Sequence, residues 1–161
     1  MLVEMAIKGL MMDPITNLPI VILRDVDGQR VLPIWVGAVE ANAVALQIEN
    51  VVPPRPLTHD LVKSIITELG AELIRVVIHD LKESTFYAYL ELRRNGELIR
   101  IDVRPSDALA LALRAKAPVL VHPRVLERAS STDVHAEDAD QERLQRWLES
   151  LDPEELGKYK M

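Results

Sequence analysis

Cysteine is absent from the 161 residues, so disulfides, thiolate zinc sites and a cysteine nucleophile are all excluded. Aromatics are scarce, with two Trp, three Tyr and one Phe. No apolar run approaches the roughly eighteen residues of a membrane span. The N-terminus lacks a signal-peptide layout because Glu4 and Lys8 interrupt its apolar stretch, and the compartment expected by default is the cytoplasm. Familiar catalytic signatures are also missing: there is no glycine-rich phosphate loop, no nucleophile elbow and no His-Glu-x-x-His zinc helix. The four histidines, at 59, 79, 122 and 135, are scattered and make a weak metal signature.

What remains is 48% apolar residues in a chain long enough to bury about two-thirds of its unfolded surface. The formal charge of −6 is unevenly spread. Residues 1–128 carry 15 Lys/Arg against 16 Asp/Glu, whereas residues 129–161 carry 4 against 9. A wholly basic nucleic-acid binder is excluded, though a local basic patch on the neutral body is not. The expected organisation is one domain over 1–128, a polar linker over 129–139 and a C-terminal helical tail over 140–161. In that tail Leu144, Trp147, Leu148 and Leu151 recur at helical spacing.

The first half alternates strand-like runs with turns. Val3 to Met12 stops at Asp13-Pro14, and Leu18 to Leu23 precedes Asp27-Gly28, a dipeptide suited to a tight hairpin with positive φ at both central residues. Val31 to Val36 is the returning strand. Gly37 to about Glu49 reads as a helix with Val39, Ala43 and Leu46 on one side. After the rigid Pro53-Pro54-Arg55-Pro56 connector, Thr58 is the expected N-cap of a second helix. Leu61, Val62, Ile65, Ile66 and Leu69 form its apolar stripe, and Gly70 ends it.

The second half plays the same order: Leu73 to Ile78, Phe86 to Leu92, a turn at Asn95-Gly96, Leu98 to Val103, and a helix from Ser106 to about Lys116. Gly28 and Gly96 match at an offset of 68, Glu40-Ala41 and Asp107-Ala108 at 67, and Leu10 and Leu81 at 71. The pattern implies a duplicated strand-strand-strand-helix unit. The fold class expected is therefore α+β, a compact single domain with a mixed or antiparallel sheet, helices, and a C-terminal helix. The unbroken Ala/Leu run from Ala108 to Leu113 implies a helix covered on most sides, in part by another subunit. Two-fold assembly is the commonest arrangement, although no residue fixes the number of subunits.

Two phrases resemble one another: Arg55-Pro56-Leu57-Thr58-His59-Asp60 and Arg104-Pro105-Ser106-Asp107, each at an expected helix start. Thr58 and Ser106 serve as caps on one reading, with Asp60 and Asp107 complementing the helix dipole. On another, the helix N-termini beside Arg55 and Arg104 hold a phosphodiester. Glu40, Asp60, Asp102 and Asp107 all lie at or beside element ends. Converging carboxylates such as Asp60, Asp102 and Asp107 can hold Mg²⁺ or Mn²⁺, and His59 can move a proton near neutral pH. Alternatively Asp102 and Arg104 are surface partners on one strand face. Tyr87 and Tyr89 share a strand face with Arg93, suited either to stacked bases or to packing. Trp35 belongs in the core or beneath an interface.

These phrases together resemble the bifunctional nuclease domain family. The matching stretches are Leu32-Pro33-Ile34-Trp35-Val36-Gly37 with Glu40-Ala41, Arg55 to Leu61, Phe86-Tyr87-Ala88, and Asp102 to Ala108, spanning roughly residues 1–125. The resemblance implies a bacterial single-domain member with a compact α+β fold. It also implies a nuclease cutting DNA and/or RNA, since the plant members resemble nucleases acting on both. The residues carried over are Glu40, Arg55, Thr58, His59, Asp60, Asp102, Arg104, Ser106 and Asp107. Their expected roles are catalysis for Glu40, His59, Asp60, Asp102 and Asp107, and phosphate binding for Arg55, Thr58, Arg104 and Ser106. Asp60, Asp102 and Asp107 would carry Mg²⁺ or Mn²⁺. The tail carries no helical repair-protein-like motif of the kind longer members append. The alternative is a non-enzymatic oligomeric module that binds a small anion or a protein partner.

Overall fold

A computed structural model describes residues 1–131. In chain order the elements are β1 (Val3–Met12), β2 (Pro19–Asp25), β3 (Val31–Trp35), α1 (Ala38–Ile48), α2 (Thr58–Glu68), β4 (Ala71–Lys82), β5 (Thr85–Arg94), β6 (Glu97–Val103), α3 (Pro105–Ala115), β7 (Val119–Val121) and α4 (Pro123–Ser131). The strands form one mixed sheet of order β3-β2-β1-β7-β4-β5-β6. Each half is a three-stranded antiparallel meander, and the short β7 lies between them, antiparallel to β1 and parallel to β4. This is the expected α+β class. The expected linker and tail lie outside the described residues, apart from 129–131, which close α4. Among the described residues no helix is long and apolar enough to cross a membrane.

One main core lies between the sheet and the helices. Val21, Leu23, Val76, Ile78, Ala88 and Leu90 from the strands meet Ala41, Val44, Ala108, Leu109 and Ala112 from α1 and α3, with Val125 of α4. On the opposite face of the first meander, Met11, Ile20 and Ile22 pack with Val31 and Trp35. The Trp35 indole N–H donates to Asp13 Oδ2 at 2.7 Å, giving a buried polar tip its partner.

The expected turn forms at Asn95 (φ 51°) and Gly96 (φ 78°), with Arg94 facing Glu97. Other local expectations are corrected. Asp27-Gly28 does not form such a turn, because the loop is organised by Asp25. Its carboxylate accepts from the Asp27 N–H and from Arg30, and a Cβ on Gly28 would lie 2.8 Å from Asp25 Oδ2. β4 runs on to Lys82 and turns through Glu83 (φ 48°) and Ser84 (φ 65°) without a glycine.

The buried face of α1 is Ala41, Val44 and Ala45 with the expected Ala43, while Val39 is exposed. Neither expected hydroxyl cap forms: Leu57 and Arg104 occupy the N-cap positions, with no side-chain cap bond there. Thr58 and Ser106 instead stand inside the first turns of their helices. The apolar stripe of α2 is only half used, since Val62 and Ile66 touch the core but Leu61, Ile65 and Leu69 face solvent. α3 is covered as its Ala/Leu run implies, but by α1, α2, β4 and β5 of its own chain.

Candidate active site at the helix entrances

Three helices begin near one another, and four of the expected polar residues meet there. Arg104 leaves the end of β6 and stands at the N-cap of α3, followed by Pro105 at the first helical position. Its Nε and Nη2 donate to the two oxygens of Asp107 at 2.9 and 3.3 Å, a bidentate pair. Its Nη1 reaches across to Glu40 Oε1 at 3.1 Å. Gly37, just ahead of α1, leaves the space that the Glu40 carboxylate occupies: a Cβ there would collide with Oε2. On the other side, His59 Nε2 is 2.9 Å from Asp107 Oδ1. The chain Glu40–Arg104–Asp107–His59 thus ties the starts of α1, α3 and α2 together. Arg104 is 64% exposed at its side chain and Asp107 26%, so the cluster is reachable from water.

Burial pushes the Asp107 carboxyl up, but the hydrogen bonds and charges of Arg104 and His59 outweigh it and hold it below the usual carboxylate range. The bond to Asp107 correspondingly raises Arg104. Asp107 remains an anion between two donors, which suits it to hold the His59 ring and not to give up a proton.

Asp60 stands one residue from His59 but faces another way. Its Oδ2 accepts the Leu57 N–H at 2.9 Å, closing the first turn of α2, and its Oδ1 accepts from Arg114 Nε at 2.9 Å. The Leu57 bond is the main reason its carboxyl is lowered. Arg114 is buried and also donates to the carbonyls of Ala43 and Ala110 at 3.1 and 2.9 Å. A groove of about 410 Å³ adjoins this pair, lined by Gln47, Asp60, Lys63, Ser64, Thr67, Glu68 and Arg114. Sequence reasoning passed over Arg114, although one arginine closing an otherwise apolar helix was the signal for it.

The remaining expected residues make no side-chain bond to the cluster among the described residues. Asp102 lies opposite Tyr89 on the sheet face away from the helices, because its neighbour Val103, opposite the buried Ala88, points into the core. Ser106 is buried. Arg55 is exposed in the proline connector and makes no ion pair among the described residues. On the outer face with Asp102, Arg100 lies 4.7 Å from the Tyr89 ring centroid, and His79 packs against the same ring at 5.3 Å. Buried Glu91 binds both Arg75 and Arg100 there.

Among the described residues no three His, Asp or Glu side chains gather to hold a metal ion. Glu40 and Asp107 are engaged by Arg104, Asp60 by Arg114, and Asp102 is on the other face. The expected Asp60, Asp102 and Asp107 set does not fit a divalent ion held by the protein alone.

The family model described as Bifunctional nuclease domain matches residues 21–133. An uncharacterised protein of Mycobacterium tuberculosis (strain ATCC 25618 / H37Rv) is 40% identical over 162 residues, covering 95% of this chain and 97% of the relative. Bifunctional nuclease 2 of Oryza sativa subsp. japonica is 36% identical over 108 residues, 65% of this chain and 33% of the relative. Bifunctional nuclease 1 of Arabidopsis thaliana is 31% identical over 108 residues, again 65% and 33%. The chain therefore spans about a third of the length of those plant proteins.

Proposed function

The chain belongs to the bifunctional nuclease domain family, and on that premise we propose that it hydrolyses phosphodiester bonds of DNA or RNA. The observation that carries this reading is the Asp107–His59 pair at 2.9 Å, half-buried at a junction of helix N-termini. Asp107 accepts a hydrogen bond from the Nε2–H of His59 and leaves Nδ1 as the basic nitrogen. Nδ1 takes a proton from water, the water oxygen bonds to phosphorus, the bond from phosphorus to the leaving oxygen breaks, and that oxygen takes a proton from solvent while His59 returns its own to water. Arg55, which makes no ion pair among the described residues, supplies the cation for the phosphate, and Arg104 adds charge from the far side of Asp107. No step is assigned to a metal. A divalent ion, were one to take part, would supply positive charge to the phosphate and would be held by a carboxylate of the cluster.

The test is cleavage of single-stranded DNA and RNA oligonucleotides by the full chain, with Mg²⁺, with Mn²⁺ and with chelator, under control for contaminating nuclease. His59→Ala and Asp107→Asn should each lower kcat by about 10²-fold or more, the usual weight of a positioned base. Arg55→Ala should act mainly on KM. Unchanged rates in the first two variants would remove the mechanism.

A second reading has its own observation: all three guanidinium nitrogens of Arg104 are taken by Glu40 and Asp107. The cluster then acts as a clamp between helices in a non-enzymatic binding module. Absence of cleavage by the wild type, together with a large loss of thermal stability in Arg104→Met, selects it.

A further inference from the structure

Arg114 is the one buried arginine or lysine among the described residues, and its side chain is only 3% exposed. A guanidinium carries five N–H donors and keeps its charge at any pH a protein tolerates. Three of the donors are met inside the protein, by Asp60 Oδ1 at Nε and by the carbonyls of Ala43 and Ala110 at Nη1. The two on Nη2 have no acceptor among the described residues. No wholly buried side-chain nitrogen there lacks a partner, so Nη2 reaches solvent at the groove that Arg114 lines. A buried permanent cation with an unmet donor pair calls for an acceptor.

The rest of the groove fits an anion at one end. α1 and α2 both pack on α3, and all three helices contribute to the lining. Asp60, Lys63, Ser64 and Thr67 lay one side of α2 along it. Lys63 is exposed and makes no ion pair among the described residues. Both oxygens of Asp60 already hold donors, the Leu57 N–H and Arg114. At that end Lys63 Nζ, the Ser64 hydroxyl and Arg114 Nη2 therefore stand ready with no free carboxylate among them. Glu68, the other acid of the lining, is eight residues further along α2, about 12 Å away by helical rise. The volume of about 410 Å³ falls within the roughly 300–1,000 Å³ of small-molecule sites, and a bare phosphate would leave most of it empty.

We propose that this groove binds a nucleoside monophosphate, its phosphate on Lys63, Ser64 and Arg114 Nη2 and its ribose and base laid along α2 toward Gln47 and Thr67. The choice of a nucleotide rests on the nuclease reading, since hydrolysis of a phosphodiester leaves a phosphate monoester on one fragment. The site itself is separate from the catalytic cluster, because His59 turns to Asp107 while Asp60 turns to Arg114.

Calorimetric titration of the full chain with adenosine 5′-monophosphate, adenosine 3′-monophosphate, ribose 5-phosphate, inorganic phosphate and adenosine tests it. One of the two nucleotides should bind tightest, ribose 5-phosphate and phosphate more weakly, and adenosine not at all. Lys63→Ala should weaken nucleotide binding by about 10-fold or more, the weight of one charged hydrogen bond. Circular dichroism should show that variant folded, as befits an exposed, unpaired side chain. Arg114→Met also loses contacts between helices, so Lys63→Ala carries the test. Amide shifts on titration should gather at Gln47 and at 63–68. Failure of both nucleotides to bind overturns the proposal. So do inorganic phosphate binding as tightly as either nucleotide, and shifts confined to 104–107 with no effect of Lys63→Ala. A chain that binds nucleotide in the groove but cuts neither DNA nor RNA keeps this site and removes the nuclease reading. One that cuts without binding does the reverse.

Discussion

Asp107 sits between two donors of different character, a permanent guanidinium and an imidazole. Its carboxyl is lowered in the folded protein, so its contribution to stability is fully present above the unfolded carboxylate pKa. That contribution is lost as pH falls through the lower folded value. Asp60, held by the Leu57 N–H and Arg114, has the same sign. Thermal melts should therefore show stability declining below about pH 4, and Asp107→Asn should flatten that decline while lowering the plateau above it. Glu40, His59, Arg104 and Asp107 were all legible in the sequence because each occupies a helix entrance, where a charged side chain has a physical reason to be. That Asp102 stands apart was half legible. Period-two alternation put it on the outward face of β6, but Arg104 escapes that alternation because the strand ends at Val103.

The three helices over the sheet depend on one buried cation. Arg114 of α3 donates to Asp60 of α2 and to the Ala43 carbonyl of α1, two contacts between elements that no apolar side chain can replace. Arg114→Met keeps the volume but leaves both acceptors without a donor. It should cost about 2–3 kcal/mol, or roughly 8 °C of Tm by differential scanning calorimetry. Element identity was largely readable: Asn95-Gly96 announced its turn, and the period-two pattern of β5 announced its buried face. The turn at Glu83-Ser84 was not, because two non-glycine residues with positive φ leave no compositional mark. The cap of α2 was misread for a related reason. Asp60, three residues in, satisfies the Leu57 N–H, so the helix needs no hydroxyl cap. α4 was missed because its apolar residues are few, although Val125 and Leu126 are buried.

At the scale of the molecule the two meanders share no hydrogen bond with each other, and β7 supplies the ladder on both sides. Val121 is fully buried at that seam, opposite Val3 and Ile78. Val121→Ala should cost about 2 kcal/mol. Amide hydrogen exchange in β2 and β5 should accelerate together in that variant, since the seam couples both halves into one cooperative unit. The Pro118 to Val121 run reads as a short strand, but its place in the sheet is not legible, because adjacency is set by long-range pairing that local periodicity does not record. The strand at the middle of the sheet is the last strand of the described chain to leave the ribosome. Until residue 121 is translated, both flanking strands present raw edges, and a message truncated before Val119 would yield two adhesive half-sheets in place of one enzyme-sized body.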